Sequence, residues 1–143
     1  MNKPVSLALD VMSGENDPHS SIEAALKLIS VNESVNLHLI GNEEKIKKCL
    51  PRKIDDRLSI HHSEEVITMN DSPMDVLRRK KQSSMRLAVE LVANKKADAC
   101  ISSGNTGALL AISKYLLKTI PNITRPALAK SIPTIRALPI CWI

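Results

Sequence analysis

Short apolar runs alternate with longer segments of helical periodicity along most of this chain, and that alternation constrains its fold more than any other feature. Val5–Met12 reads as a buried strand, interrupted by Asp10 near its carboxyl end and closed by Ser13-Gly14. Asn16, Asp17 and Ser20 offer caps for a helix over about Ser21–Ile29, in which Ile22, Ala25, Leu26 and Ile29 share a face. Val35–Ile40 predicts a second strand, turned at Gly41-Asn42. A short helix over about Glu43–Leu50 stops at Pro51, and Leu58–His62 is a weak third strand. Thr68–Pro73 has the composition of a loop. From Met74 to about Lys96 the spacing predicts one helix, with Leu77, Met85, Ala88, Val89 and Val92 near one face. Ala97–Ser102 is a brief strand. Gly107–Lys118 is apolar nearly all round, which predicts a buried helix, and Pro121, Pro126, Pro133 and Pro139 punctuate the remainder of the chain. Strand and helix in turn imply an α/β fold, a parallel sheet with covering helices.

Aromatic side chains are almost missing: Trp142, Tyr115 and no phenylalanine. The core must therefore be aliphatic. The same shortage argues against a nucleic-acid partner, because single strands are held on aromatic stacking platforms. Lys plus Arg exceeds Asp plus Glu by 20 to 15, a net charge of +5 that suits an anionic partner without naming one. No apolar run approaches the ~20 residues of a membrane span. Cys49, Cys100 and Cys141, odd in number and far apart, read as free thiols in a reducing cytoplasm. Neither dinucleotide-binding nor P-loop glycine spacing occurs, and His61-His62 with the cysteines lack zinc-ligand spacing, so no metal or cofactor is expected.

The local feature richest in chemistry is Ser103-Gly104-Asn105-Thr106-Gly107, between a strand and a helix. Gly104 and Gly107 let the backbone turn tightly, and a helix beginning here aims unpaired N–H groups at the loop. These parts can hold a phosphate or a developing oxyanion; they also describe a capped turn. Arg78-Arg79-Lys80-Lys81, with Ser83, Ser84 and Arg86, is either an anion-binding helix face or a solvated one. Asp10 stands where open α/β sheets place ligands, or caps the following turn.

Taken in order, these blocks resemble the amino-terminal part of the bacterial phosphate acyltransferase family of the PlsX type. The likeness runs through Leu7-Ala8-Leu9-Asp10-Val11-Met12 with Gly14, and through Ile40-Gly41-Asn42. It is densest from Arg79-Lys80-Lys81-Gln82-Ser83-Ser84-Met85 to Ala97-Asp98-Ala99 and Ser102-Ser103-Gly104-Asn105-Thr106-Gly107-Ala108-Leu109, and it closes on Arg125-Pro126-Ala127-Leu128. The resemblance implies a fold similar to phosphotransacetylases and acyl transfer from acyl carrier protein to inorganic phosphate, giving acyl phosphate for phospholipid synthesis. It also implies a homodimer, a cytoplasmic location peripheral to the membrane, and no metal or cofactor. Within it, Asn105 and Asp10 are the candidate catalytic residues. Ser103, Gly104, Thr106, Gly107, Lys81, Ser83 and Ser84 are candidate contacts to phosphate or substrate.

Two departures qualify the likeness. The family usually has Gly-Gly-Asp after its first strand, where this chain has Ser13-Gly14-Glu15-Asn16. The family also continues to a Gly-Lys segment and a Leu-Asp-Leu-Gly-Ala-Asn motif, whereas this chain has Arg136–Ile143. Residues 1–135 are thus read as the amino-terminal part of an α/β domain, incomplete at its carboxyl end, and 136–143 as an aberrant tail. A frameshift or early stop accounts for this reading, and an inactive or non-catalytic fragment is its alternative function.

Overall fold

Val5–Asp10 forms β1, the strand from which the rest of the sheet is built. The computed structural model describes residues 3–14, 17–52, 54–127, 129–131 and 140–142. After β1 come α1 (Pro18–Val31), β2 (Val35–Gly41), α2 (Glu43–Cys49), β3 (Leu58–His62), α3 (Pro73–Arg79), α4 (Ser84–Ala93), β4 (Ala99–Ile101) and α5 (Thr106–Leu117). The four strands make one parallel sheet in the order β3-β2-β1-β4. A further antiparallel pair joins β5 (Ala129–Ser131) to β6 (Ile140–Trp142). Arg136, where the aberrant tail is expected to start, lies outside the described residues, as does Leu128 of the Arg-Pro-Ala-Leu block. The α/β architecture expected from the alternation is the one found.

Alternation along the strands divides the core. Leu7, Leu9, Leu37 and Leu39 face α1 and α2, where Ile22, Ala25, Ile29 and Ile46 close over them. Ala8 and Ile40 point the other way, against Ala88 and Leu91 of α4. A third cluster packs α3, α4 and α5 together through Val76, Met85, Val89, Ala108 and Ile112. Among the described residues the largest fully buried side chains are aliphatic apart from Met85, Asp10 and Ser83, and none is aromatic, as the aromatic shortage required. No helix among the described residues is long and apolar enough to cross a membrane.

Helix ends obey local chemistry. Asp17 accepts from the His19 amide at the start of α1, and Pro18 occupies the first turn, where a missing N–H costs nothing. The far end of α1 carries no basic residue of its own. Arg57, arriving from the loop before β3, donates to the Ile29 and Asn32 carbonyls while paired with Asp55.

Two expectations are corrected. The single helix over 74–96 is two helices, broken at Lys80–Ser83. Lys80 ends α3 by turning its Nζ to the Val66 carbonyl and Asp71, and Glu65 bridges to Ser83 and accepts from the Ser84 and Gln82 amides. Arg79, Ser83 and Arg86 therefore do not share one helix. Likewise α5 is not buried all round: only Ala108 and Ile112 are enclosed, by α3 and α4, while Tyr115 and Leu117 stand exposed.

On the α4 side of the sheet, His38 Nδ1 lies 3.1 Å from His61 Nε2 and 2.6 Å from Ser59 Oγ. Burial, then His38, then Lys96 lower the pKa of His61 from its ordinary 6.5. The folded chain thus binds this proton less well than the unfolded one. Its contribution to stability is complete above pH 6.5 and is lost as pH falls through the depressed folded value. Urea melts across this window should show His61→Gln losing less stability on acidification than the unaltered chain. Parallel pH profiles for the two would remove the pair from the acid response.

Candidate functional site

The strand order brings two loops together. From β1 the chain moves toward β2 and β3, then returns to place β4 on the opposite side of β1. The carboxyl ends of β1 and β4 therefore flank the point where the winding reverses, the crevice in which open α/β sheets bind ligands. The loop after β1 supplies Ser13 and Gly14; the loop after β4 supplies Ser102–Asn105.

Their contact is close. Gly14 has φ +96°, and a Cβ there would lie 2.6 Å from Ser103 Oγ. A Cβ on Gly104 would lie 2.7 Å from Ser13 Cβ and 3.0 Å from Met85 Cε. Glycine at both positions is what lets the loops meet. Across the seam, Ser103 Oγ donates to the Ser13 carbonyl at 2.9 Å.

Asp10 lies beneath this seam, only 1% exposed. Its carboxylate accepts from Ser102 Oγ at 2.9 Å and from the Met12 amide at 3.3 Å. Since Ser102 spends its proton on Asp10, the 2.8 Å contact between the Ser13 and Ser102 hydroxyls runs from Ser13 to Ser102. The Gly104 amide also donates to Ser102 Oγ. One buried acid thus orders a chain of hydroxyls that ends on the glycine loop.

Asn105 caps α5: its Oδ1 accepts from the Ala108 amide at 3.0 Å. Its Nδ2 turns outward from the helix and donates to the Thr68, Met69 and Asp71 carbonyls at 3.0–3.3 Å. Asn105 is therefore a clamp between the loop before α3 and the start of α5. The amides of Asn105, Thr106 and Gly107 find no acceptor among the described residues. Thr106 and Gly107 are exposed, so the positive end of the helix dipole lies at the surface.

Behind the clamp, Asp71 accepts from the Thr68 amide and hydroxyl and from Lys80 Nζ at 2.6 Å. Lys80 and Thr68 hold its pKa at about 2. Lys80 is thus committed to an internal pair, whereas Arg78, Arg79 and Lys81 are exposed. Ser83, fully buried, donates to the Lys80 carbonyl. Ser84 Oγ is buried without a partner among the described residues. This segment reaches the glycine loop through Lys80, Asp71 and Asn105, and through Met85 against Gly104. Burial, with Asp10 nearby, pushes the Cys100 thiol up, opposite to the activation a nucleophilic cysteine needs.

Residue type and spacing do not single out Ser102, Ser13 or Asp71 as site residues, although Ser102 stands directly before the glycine loop; Lys80 is noticed only as one charge of the basic run, not as the partner of Asp71. The value of Ser102 comes from Asp10, 92 residues away, and spacing alone does not show that.

Residues 5–141 match the family described as fatty acid synthesis protein. A protein from Shewanella sediminis named phosphate acyltransferase is 48% identical over 139 residues, covering 95% of this chain and 41% of its own length. One of the same name from Methylococcus capsulatus is 46% identical over 132 residues, covering 90% and 39%. The chain thus spans about 40% of the length of the curated relatives it matches. It belongs to the fatty acid synthesis protein family.

Proposed function

We propose that this site serves acyl transfer from acyl carrier protein to inorganic phosphate, with the phosphate held at the amino end of α5. The observation that carries the reading is the set of unengaged amides at Asn105, Thr106 and Gly107, beside a loop ordered by buried Asp10. In the reaction a phosphate oxygen attacks the thioester carbonyl. The C–O bond forms, the C–S bond breaks, and the departing thiolate takes up the proton that phosphate releases. No covalent enzyme intermediate is required. The amides hold charge on the phosphate and on the tetrahedral oxyanion.

In this reading Asn105 and Asp10 act by position. Asn105 fixes the helix start through its cap and clamp, and Asp10 sets the Gly104 amide through Ser102. Ser103, Gly104, Thr106 and Gly107 form the cradle. Exposed Arg78, Arg79 and Lys81 offer a basic surface to an acidic carrier, while buried Ser83 and Ser84 support the turn that presents it.

Titration with inorganic phosphate, followed by amide NMR, tests the cradle. Shifts should concentrate at Asn105, Thr106 and Gly107. Asp10→Asn, which disturbs the order of the loop, should weaken the response about tenfold, as expected for one lost charge-assisted hydrogen bond. Silent amides at tens of millimolar phosphate in a folded chain would sink the proposal.

A further inference from the structure

We infer that His38 and His61 form a site for one divalent ion of the imidazole-preferring class (Zn²⁺, Ni²⁺ or Cu²⁺), bridging β2 and β3 away from the glycine loop. His38 on β2 pairs with Ser59, and His61 lies two residues further along β3, opposite Ile40. Both side chains therefore leave the sheet on the α4 side. Parallel pairing fixes the two backbones, and the imidazole nitrogens meet at 3.1 Å. Two nitrogens bound to one ion at ~2.05 Å stand about 2.9 Å apart at a right angle and about 3.4 Å apart at the tetrahedral angle. The observed separation falls between these, so an ion fits with small turns of the rings. The sequence spacing of His61-His62 does not show this pair, because His38 stands 23 residues before His61.

Hydrogen bonding at the pair gives a second, independent reason. An imidazole nitrogen offers either one N–H or one lone pair. His38 Nδ1 nevertheless faces two partners, Ser59 Oγ at 2.6 Å and His61 Nε2 at 3.1 Å. One proton between the rings satisfies the two nitrogens and leaves Ser59 competing for the same atom. A cation there takes a lone pair from each ring, and the Ser59 hydroxyl has the Leu37 carbonyl at 3.5 Å as its other acceptor. Both rings are half-buried, and among the described residues no third histidine, cysteine or carboxylate completes the set, so water fills the outer positions of the ion. Asp56 shares a groove with His38 and Glu90 shares one with His61, while Lys96 borders both and opposes the added charge.

The test uses the labelled chain and Ni²⁺, since Zn²⁺ is also drawn to free thiols such as Cys49 and Cys100. Paramagnetic Ni²⁺ should broaden the NMR signals around His38, Ser59 and His61 first. His38→Gln and His61→Gln should each weaken Ni²⁺ at least about tenfold, the gain expected from a second donor held in place. His62→Gln, on the other side of β3 where its Nδ1 accepts from the Glu43 amide, should leave the affinity unchanged. Urea melts without metal establish that each variant is folded, and Ni²⁺ should raise the midpoint of the unaltered chain far more than that of either glutamine variant. Lys96→Ala withdraws a nearby positive charge from an exposed position and should tighten Ni²⁺ about twofold at low salt. Should a glutamine variant fail to fold, the broadening pattern of the unaltered chain and the Lys96 response decide the matter. Broadening centred on His19 or His62, affinity unchanged by both glutamine variants, or indifference to Lys96→Ala overturns the assignment.

Discussion

Asn105→Ala should cost about 2–3 kcal/mol of stability, because it removes a helix cap and leaves three carbonyls of the neighbouring loop without their donor. In a chain of this size that is a fall in Tm of roughly 6–9 °C. Asn105→Asp separates the two roles. It keeps an oxygen for the Ala108 amide but sets a carboxylate against the Thr68, Met69 and Asp71 carbonyls. At neutral pH it should therefore be less stable than the alanine variant, and it should recover as the introduced carboxyl is protonated below about pH 4. Thermal melts at both pH values decide the matter. An aspartate variant as stable as the unaltered chain would mean that the clamp contributes nothing.

The second large effect lies at the seam between the loops. Gly104→Ala places a Cβ 2.7 Å from Ser13 Cβ, closer than carbon atoms tolerate, and the obstruction is not the free end of a flexible side chain. About 2 kcal/mol should be lost as the loops part, and the phosphate response with it. Ser13→Gly removes the obstructing atoms, leaving only the mobile end of Met85 to yield. Alone, that change should cost about 1 kcal/mol, chiefly the hydroxyl contact to Ser102. Combined with Gly104→Ala it should restore most of the loss, a coupling of about 1–2 kcal/mol in a double-mutant cycle. Simple additivity would show that the tight approach is not what the glycine serves.

The sheet and its helices are legible in the sequence because their signals are local. Apolar runs mark parallel strands buried on two faces, and Asp17 offers the acceptor that the start of α1 needs; Asn42 and Ser72, read as turn and loop, prove to cap α2 and α3. The break between α3 and α4 is hidden because its causes are distant. Helical spacing continues through Lys80–Ser83, and the chain is turned there by Asp71, Val66 and Glu65. The exposed side of α5 escapes notice for a related reason: its composition states what could be buried, not what lies beside it. At the site, the glycine loop announces itself by residue type. The clamp of Asn105 on carbonyls 34–37 residues earlier, and the hold of Asp10 on Ser102, arise only once the strands are laid side by side.

Arg57 has a consequence for how the molecule breathes. By donating to the Ile29 and Asn32 carbonyls from the approach to β3, it ties the end of α1 to the strand at the opposite edge of the sheet from β4. β4 contributes three residues and, within the four-stranded sheet, pairs only with β1. The β1–β4 ladder joins three residue pairs against six between β1 and β2, so opening at the margin that carries the glycine loop breaks the smaller ladder and leaves the Arg57 tie intact.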